Sequence, residues 1–275
     1  MSSLTIHSLF HYPVKSCSQV ALTTGTLSHS GFLNDRRWMV VDQDTGKFIT
    51  QRKYPLMCRI HTSLRETPEG TVLSLSYLSG DKNSSIDVPL SCSGLMSTEV
   101  WGDVQDAWDQ GDQVATWLSE LIGQSVRLVY IGDDQLRQVD QDYSNNPSDK
   151  VGFADGFPFL ITTVASIKQF NQDLGYDIDV LRFRPNIVID GEDLRAYEED
   201  DWKGIRVNGI DFEFVKPCSR CVMPSINPVS LEKERAVITT LANTRRIGNK
   251  TYFGQNAVHS RAEGSLSVGD VVELL

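Results

Sequence analysis

Lys216-Pro217-Cys218-Ser219-Arg220-Cys221-Val222-Met223-Pro224 follows directly on Gly204-Ile205-Arg206-Val207-Asn208-Gly209-Ile210-Asp211-Phe212-Glu213-Phe214-Val215. The second run alternates apolar and polar residues about Asn208-Gly209. That dipeptide supplies the positive φ angles of a two-residue hairpin turn. The pattern predicts a two-stranded element that ends by presenting two thiols. Pro217 and Pro224 bracket the thiols and are expected to block a regular strand or helix there. A Cys-x-x-Cys on such a loop serves as a metal ligand set, as a redox pair, or as two small side chains, and spacing alone leaves all three open.

Outward from this stretch, the chain reads as mainly β. Strands are expected over Leu4–Val14, Trp38–Asp42 with a return at Lys47–Thr50, Arg59–Leu64, Thr71–Tyr77 and Ile86–Val88, then Val126–Ile131, Leu181–Asp190, Phe253–Val258 and Leu266–Leu274. Two helices stand out. Gln113–Ile122 carries an apolar stripe of Val114, Trp117, Leu118 and Leu121, with Asp112 as expected cap and Gly123 as stop. Val164–Leu174 has Thr163 as cap and Gly175 as stop. The fold class expected is mainly β with a few helices (α+β): an N-terminal β-barrel domain over 1–105 and a second β-barrel domain over 106–275. Gly132–Gly152 is polar and reads as a linker, lid or docking loop.

Bulk composition narrows the function. The 275 residues carry 26 Lys and Arg against 36 Asp and Glu, a net charge of −10. A general nucleic-acid-binding surface is therefore not expected, and any anionic ligand must be held by a local basic cluster. Five cysteines in this length make no disulfide framework. No apolar run approaches the ~20 residues of a membrane helix, and the first residues lack a signal peptide's pattern. The expected setting is the cytoplasm.

Basic and hydroxyl residues gather at predicted strand ends: Lys15, Ser16, Arg36, Arg184, Asn186, Ser219 and Arg220. Guanidinium groups suit phosphate because they bind two oxygens at once, and a thiolate is a soft metal ligand. Arg182 and Arg184 share strand parity and would lie on one face of an extended segment. A closed zinc site needs about four ligands, and an iron–sulfur cluster needs about four cysteines. Neither set is evident.

Tyr12-Pro13-Val14-Lys15-Ser16-Cys17, Asp35-Arg36-Arg37-Trp38, Phe183-Arg184-Pro185-Asn186-Ile187-Val188-Ile189, Pro217-Cys218-Ser219-Arg220-Cys221, Phe253-Gly254-Gln255-Asn256 and Val268-Gly269-Asp270 occur in this order. Together they resemble MOSC-domain proteins that carry a MOSC N-terminal β-barrel domain, a group including bacterial YcbX-type proteins and the mitochondrial amidoxime-reducing component. The resemblance covers essentially the whole chain. It implies a molybdenum cofactor, a pterin dithiolene with a phosphate. By motif match, Cys221 would be the metal ligand and catalytic residue. Lys15, Ser16, Arg36, Arg184, Asn186, Ser219 and Arg220 would hold the pterin and phosphate.

The activity implied is two-electron reduction of small N-hydroxylated compounds: hydroxylamines, amidoximes and N-hydroxylated base analogues. A non-catalytic cofactor-binding or carrier protein is the alternative. Three features depart from the family pattern. Val222-Met223-Pro224-Ser225 follows the metal cysteine where apolar residues and threonines are usual. Gly156-Phe157 stands where small hydroxyl residues often precede Pro-Phe-Leu. The C-terminal ferredoxin domain of many YcbX-type proteins does not follow Leu275, so the donor is expected to be a separate protein of the ferredoxin or flavoprotein reductase type.

Overall fold

A computed structural model describes residues 3–79, 82–144 and 146–275. Met1 and Ser2 of the N-terminal segment and Asn145 of the polar loop fall outside the described residues.

Seven strands close a barrel: β1 (Leu4–His11), β2 (Phe159–Thr163), β3 (Ile187–Asp190), β4 (Gly204–Val207), β5 (Ile210–Ser219), β6 (Lys250–His259) and β7 (Val271–Leu274). Around the ring the order is β2, β3, β1, β7, β4, β5, β6 and back to β2. Only the β2–β3 pair is parallel. Its crossover contains the helix α2 (Val164–Leu174), as a parallel connection requires. Ile6, Leu9, Ile161, Ile187, Ile205 and Phe212 belong to the core of this barrel. Phe159 meets Phe32 and Phe212 edge-on at centroid distances of 5.1 and 5.2 Å. Each such fully buried aromatic contributes roughly 1.5–3 kcal/mol over the exposed state.

The N-terminal half supplies β1 to that barrel, adds Leu27 and Phe32 to its core, and folds otherwise around two further cores. The strand Trp38–Asp42 lies in a four-stranded sheet beside Val126–Tyr130, followed by Asp103–Asp109 and Leu95–Val100. Trp38 and Val40 enter one core, and Met39 and Val41 enter another. A strand buried on both faces reads as a continuous apolar run, as here. A meander of Ile60–Thr67, Gly70–Ser79 and Lys82–Pro89 faces the first core. The helix α1 (Asp112–Ile122) packs Val114, Leu118 and Ile122 into the same core.

Several local expectations are corrected. The hairpin turns at Asn208 (φ 51°) and Gly209 (φ 71°) as predicted, but β5 runs through Pro217 to Ser219. Its pairing with β4 stops at Glu213, and its register against β6 shifts on both sides of Pro217. On that free edge a proline is tolerated. Residues 181–190 are not one strand: Val180–Phe183 forms a 3-10 turn and Arg184 takes φ 59°, so Arg182 and Arg184 share no strand face. Gly111, not Asp112, caps α1. Lys47 and Phe48 make isolated bridges in place of a return strand. The polar loop folds back on itself, pairing Arg137–Gln138 with Lys150–Val151. The hairpin Leu95–Val100/Asp103–Asp109 and the helix α3 (Arg235–Thr244) went unpredicted.

Candidate functional site

Between the N-terminal half and the open end of the barrel lies a cleft of about 580 Å³. All eight residues singled out from the sequence line it: Lys15, Ser16, Arg36, Arg184, Asn186, Ser219, Arg220 and Cys221. They come from four separate stretches of chain. Counting every lining residue, seven basic side chains face a single carboxylate, Asp155. In a chain of net charge −10 this is a strong local reversal of sign.

One wall is a buried clamp organised by Tyr12 and Asp35. Asp35 accepts the Tyr12 amide at 2.7 Å and an Arg36 Nη1 hydrogen at 2.5 Å. Arg36 also donates to Asn186 Oδ1 at 3.0 Å and to the Arg184 carbonyl at 3.3 Å. The guanidinium carbons of Arg36 and Arg184 lie 4.2 and 4.1 Å from the Tyr12 ring centroid. Tyr12 Oη donates to the Pro185 carbonyl at 3.0 Å, and Arg184 Nη1 to the Cys17 carbonyl at 2.7 Å. Asn186 ties β1, β2 and the clamp together: its Oδ1 also accepts the Leu160 amide at 3.2 Å, and its Nδ2 donates to the Phe10 carbonyl at 3.1 Å.

The clamp is strained as well as buried. Ser16 (φ 70°), Arg36 (φ 48°) and Arg184 (φ 59°) all hold left-handed backbone. For residues with a Cβ this costs about 1–2 kcal/mol each, and such strain gathers at functional sites. Burial pushes the Tyr12 hydroxyl and the Cys17 thiol up, the latter to about 12.

Lys15 lies on the floor. It donates to the Phe153 carbonyl at 2.7 Å and forms an ion pair with Asp155. Burial pushes the Lys15 ammonium below its ordinary value, against the pull of Asp155. The Asp155 side chain is 61% exposed. Burial in the cleft opposes its ionisation, but the charge and hydrogen bond of Lys15, with the Trp101 hydrogen bond, outweigh it and hold the carboxyl below the usual range.

The opposite wall is the thiol loop at the end of β5. Arg220 donates from Nη2 to the Phe183 carbonyl at 2.8 Å and from Nη1 to Cys218 Sγ at 3.0 Å. Its Nε is buried without a partner among the described residues. Cys221 is exposed on the cleft, and its Sγ accepts the Met223 amide at 3.5 Å. Cys218 also lines the cleft and is half-buried. Arg182 lies behind the loop, donating to the Pro224 carbonyl at 2.7 Å and pairing with Glu234 at 2.8 Å. The departures Gly156, Phe157 and Met223 all line the cleft. A Cβ at Gly156 would meet nothing within 4 Å, so a hydroxyl residue would fit there.

Sequence reasoning missed Arg52, Trp101, Asp155 and Lys216, which also line the cleft. Lys216 Nζ lies 3.7 Å from the Tyr143 ring centroid. The one available signal was the sign of charge, since Arg52 and Lys216 stand out in an acidic chain. Chemically, the cleft suits a polyanion with a phosphate, next to a soft donor. Among the described residues no group of three or more His, Cys, Asp or Glu side chains could hold a metal by itself. A metal bound at Cys221 would have to arrive with most of its ligands. A pterin dithiolene meets that condition, and the unpartnered Arg220 Nε is a donor left free for it.

Residues 3–125 match the MOSC N-terminal beta barrel domain and residues 148–273 the MOSC domain. The human mitochondrial amidoxime-reducing component 1 is 30% identical over 98% of this chain and 83% of its own length. Its mouse counterpart is 27% identical over 98% and 82%. A molybdenum cofactor sulfurase from Drosophila yakuba is 31% identical over 95% of this chain, which spans 33% of that protein. No described helix is long and apolar enough to cross a membrane.

Proposed function

We propose, on the premise that the chain belongs to the MOSC-domain proteins with a MOSC N-terminal barrel, that it is a molybdenum-cofactor-dependent reductase of N-hydroxylated compounds. The observation that carries the proposal is the convergence of Lys15, Arg36, Arg184 and Arg220 on one cleft whose lip bears Cys221. Those four cations would neutralise the cofactor's phosphate and pterin oxygens. Ser16 and Ser219 would add hydroxyl contacts, and Asn186 would hold Arg36 in place. Cys221 would give a thiolate to the metal. When bound, the cofactor supplies the two-electron redox centre that takes oxygen from an N–OH group. The overall change is an N-hydroxylamine plus two electrons and two protons giving an amine and water. The two electrons would come from a donor of the ferredoxin or flavoprotein reductase type.

The clamp's role is to bind and orient. Its guanidiniums are locked by Tyr12, Asp35 and Asn186 before any ligand arrives, so little ordering cost remains. The test is purification from a host that makes molybdenum cofactor, followed by metal analysis and a benzamidoxime assay with reduced methyl viologen. Near-stoichiometric molybdenum with benzamidine formation is expected. Zinc alone, or no metal, would overturn the reading. The similarity to molybdenum cofactor sulfurases favours a second reading, a protein that holds the cofactor without reducing anything. Full molybdenum without benzamidine formation would select it.

A further inference from the structure

The end of the cleft built by the N-terminal half carries a feature that the cofactor set leaves unused. Trp101 stands at the tip of the hairpin joining Leu95–Val100 to Asp103–Asp109, with φ 56°, and Gly102 follows at φ 94°. That turn position favours Asn, Asp or Gly, so an indole there is costly. It is also 48% exposed on the cleft. The ring is nonetheless fixed. Its Nε1 donates to Asp155 Oδ1 at 3.0 Å, and the Phe48 ring packs at a centroid distance of 4.9 Å. The Arg52 guanidinium lies 4.6 Å from the indole centroid.

The hairpin is braced too. Asp103 accepts two Arg137 hydrogens at 3.0 and 2.6 Å. Arg137 Nη1 donates to the carbonyls of Gly152 and Ala154, in the strap that leads to Asp155. Arg52, by contrast, has spare capacity. Its ion pair with Asp155 is loose at 3.7 Å, and its Nε is buried without a partner among the described residues.

We propose that Trp101 and Arg52 form a substrate-recognition subsite that takes a planar aromatic ring bearing an anionic group. The indole and the guanidinium laid over it give a flat, polarisable face suited to a ring. The free Arg52 donors suit a carboxylate or phosphate on that ring. The subsite selects among substrates of the reductase proposed above and rests on that reading.

The test compares 4-carboxybenzamidoxime, benzamidoxime and N-methylhydroxylamine on the cofactor-loaded protein. The wild type should favour the carboxylated substrate over benzamidoxime by about tenfold in kcat/KM, the size of one charge-assisted contact. Arg52→Ala should bring that ratio close to one. Trp101→Ala should lower the ratio of benzamidoxime to N-methylhydroxylamine by about tenfold, and Trp101→Phe should restore most of it. A carboxylate preference that survives Arg52→Ala overturns the proposal. So does a Trp101→Ala loss of equal size on all three substrates. If the wild type reduces none of them, the reductase reading fails. Calorimetry with the non-reducible 4-carboxybenzamide then reads the subsite on its own. Binding about tenfold weaker in each variant supports it, and unchanged binding overturns it.

Discussion

Tyr12 is fully buried and Asp35 nearly so, whereas Ser219 and Cys221 across the same cleft are exposed. The clamp wall holds left-handed backbone at three positions and ties its guanidiniums to Asp35, Asn186 and backbone carbonyls. The thiol wall hangs from the free edge of β5, past a proline, with a guanidinium Nε that has no partner among the described residues. Both walls belong to one site, yet their side chains face different demands. A clamp that grips an anion gains from being rigid before the anion arrives. A thiol that ligates a metal must stay accessible. Substitutions in the clamp should therefore act through stability and occupancy, and substitutions in the thiol loop through activity.

The largest stability effect is expected from Asp35→Ala. It removes the carboxylate from a buried ion pair and leaves Arg36 uncompensated, at a cost of about 3–5 kcal/mol. Urea denaturation of the cofactor-free protein measures it, and a loss below about 1 kcal/mol would put the clamp on the same footing as the exposed wall.

Alkaline pH gives a second reading. Burial raises the Cys17 thiol to about 12 from an ordinary value near 9. The folded state thus binds its proton more tightly than the unfolded state does. That stability is intact below about pH 9 and is lost as pH rises towards 12, on the order of 4 kcal/mol in all. Tyr12, also raised, adds to the loss above about pH 10. Cys17→Ala and Tyr12→Phe should each flatten the alkaline arm of a stability–pH curve. A slope that survives in both variants would show the clamp to be less closed than described.

Arg184→Ala comes next. It removes one charge-assisted contact, about 1.5–3 kcal/mol of cofactor affinity, read as molybdenum and pterin per mole of purified protein. Full occupancy in the Arg36→Ala, Arg184→Ala double variant would break the clamp assignment. The smallest stability effects belong to the other wall: Cys218→Ser and Cys221→Ser should each change the free energy of unfolding by no more than about 0.5 kcal/mol.

The hairpin at Asn208-Gly209, the cap at Thr163 and the strand Trp38–Asp42 were legible because each rests on local chemistry: a turn dipeptide, a hydroxyl cap, an apolar run. The eight cleft residues were legible as an inventory of ordered motifs, while their convergence depends on pairings such as β1 with β3, about 180 residues apart. For that reason strand periodicity could not reveal that Leu4–His11 closes the barrel of the second half. Nor could it reveal that α1 and Val126–Tyr130 pack with the first. Arg184 was misread as part of a strand because its left-handed backbone is stabilised by tertiary contacts to Tyr12 and Cys17. Trp101 was invisible for a related reason: an exposed tryptophan in a left-handed turn has no local signature that predicts it.

The most direct test of the account sets Cys221→Ser beside Cys218→Ser, each purified from a host that makes the cofactor and assayed for molybdenum content and benzamidoxime reduction. A metal rich in sulfur ligands should not accept a hydroxyl in place of the Cys221 thiolate, whereas serine at 218 keeps a small acceptor for Arg220 Nη1. The account predicts that Cys218→Ser keeps most of its molybdenum and measurable reduction, while Cys221→Ser falls to background activity even where the clamp still retains pterin. Equal loss of metal and activity in both variants would contradict it and point to a shared Cys-x-x-Cys site.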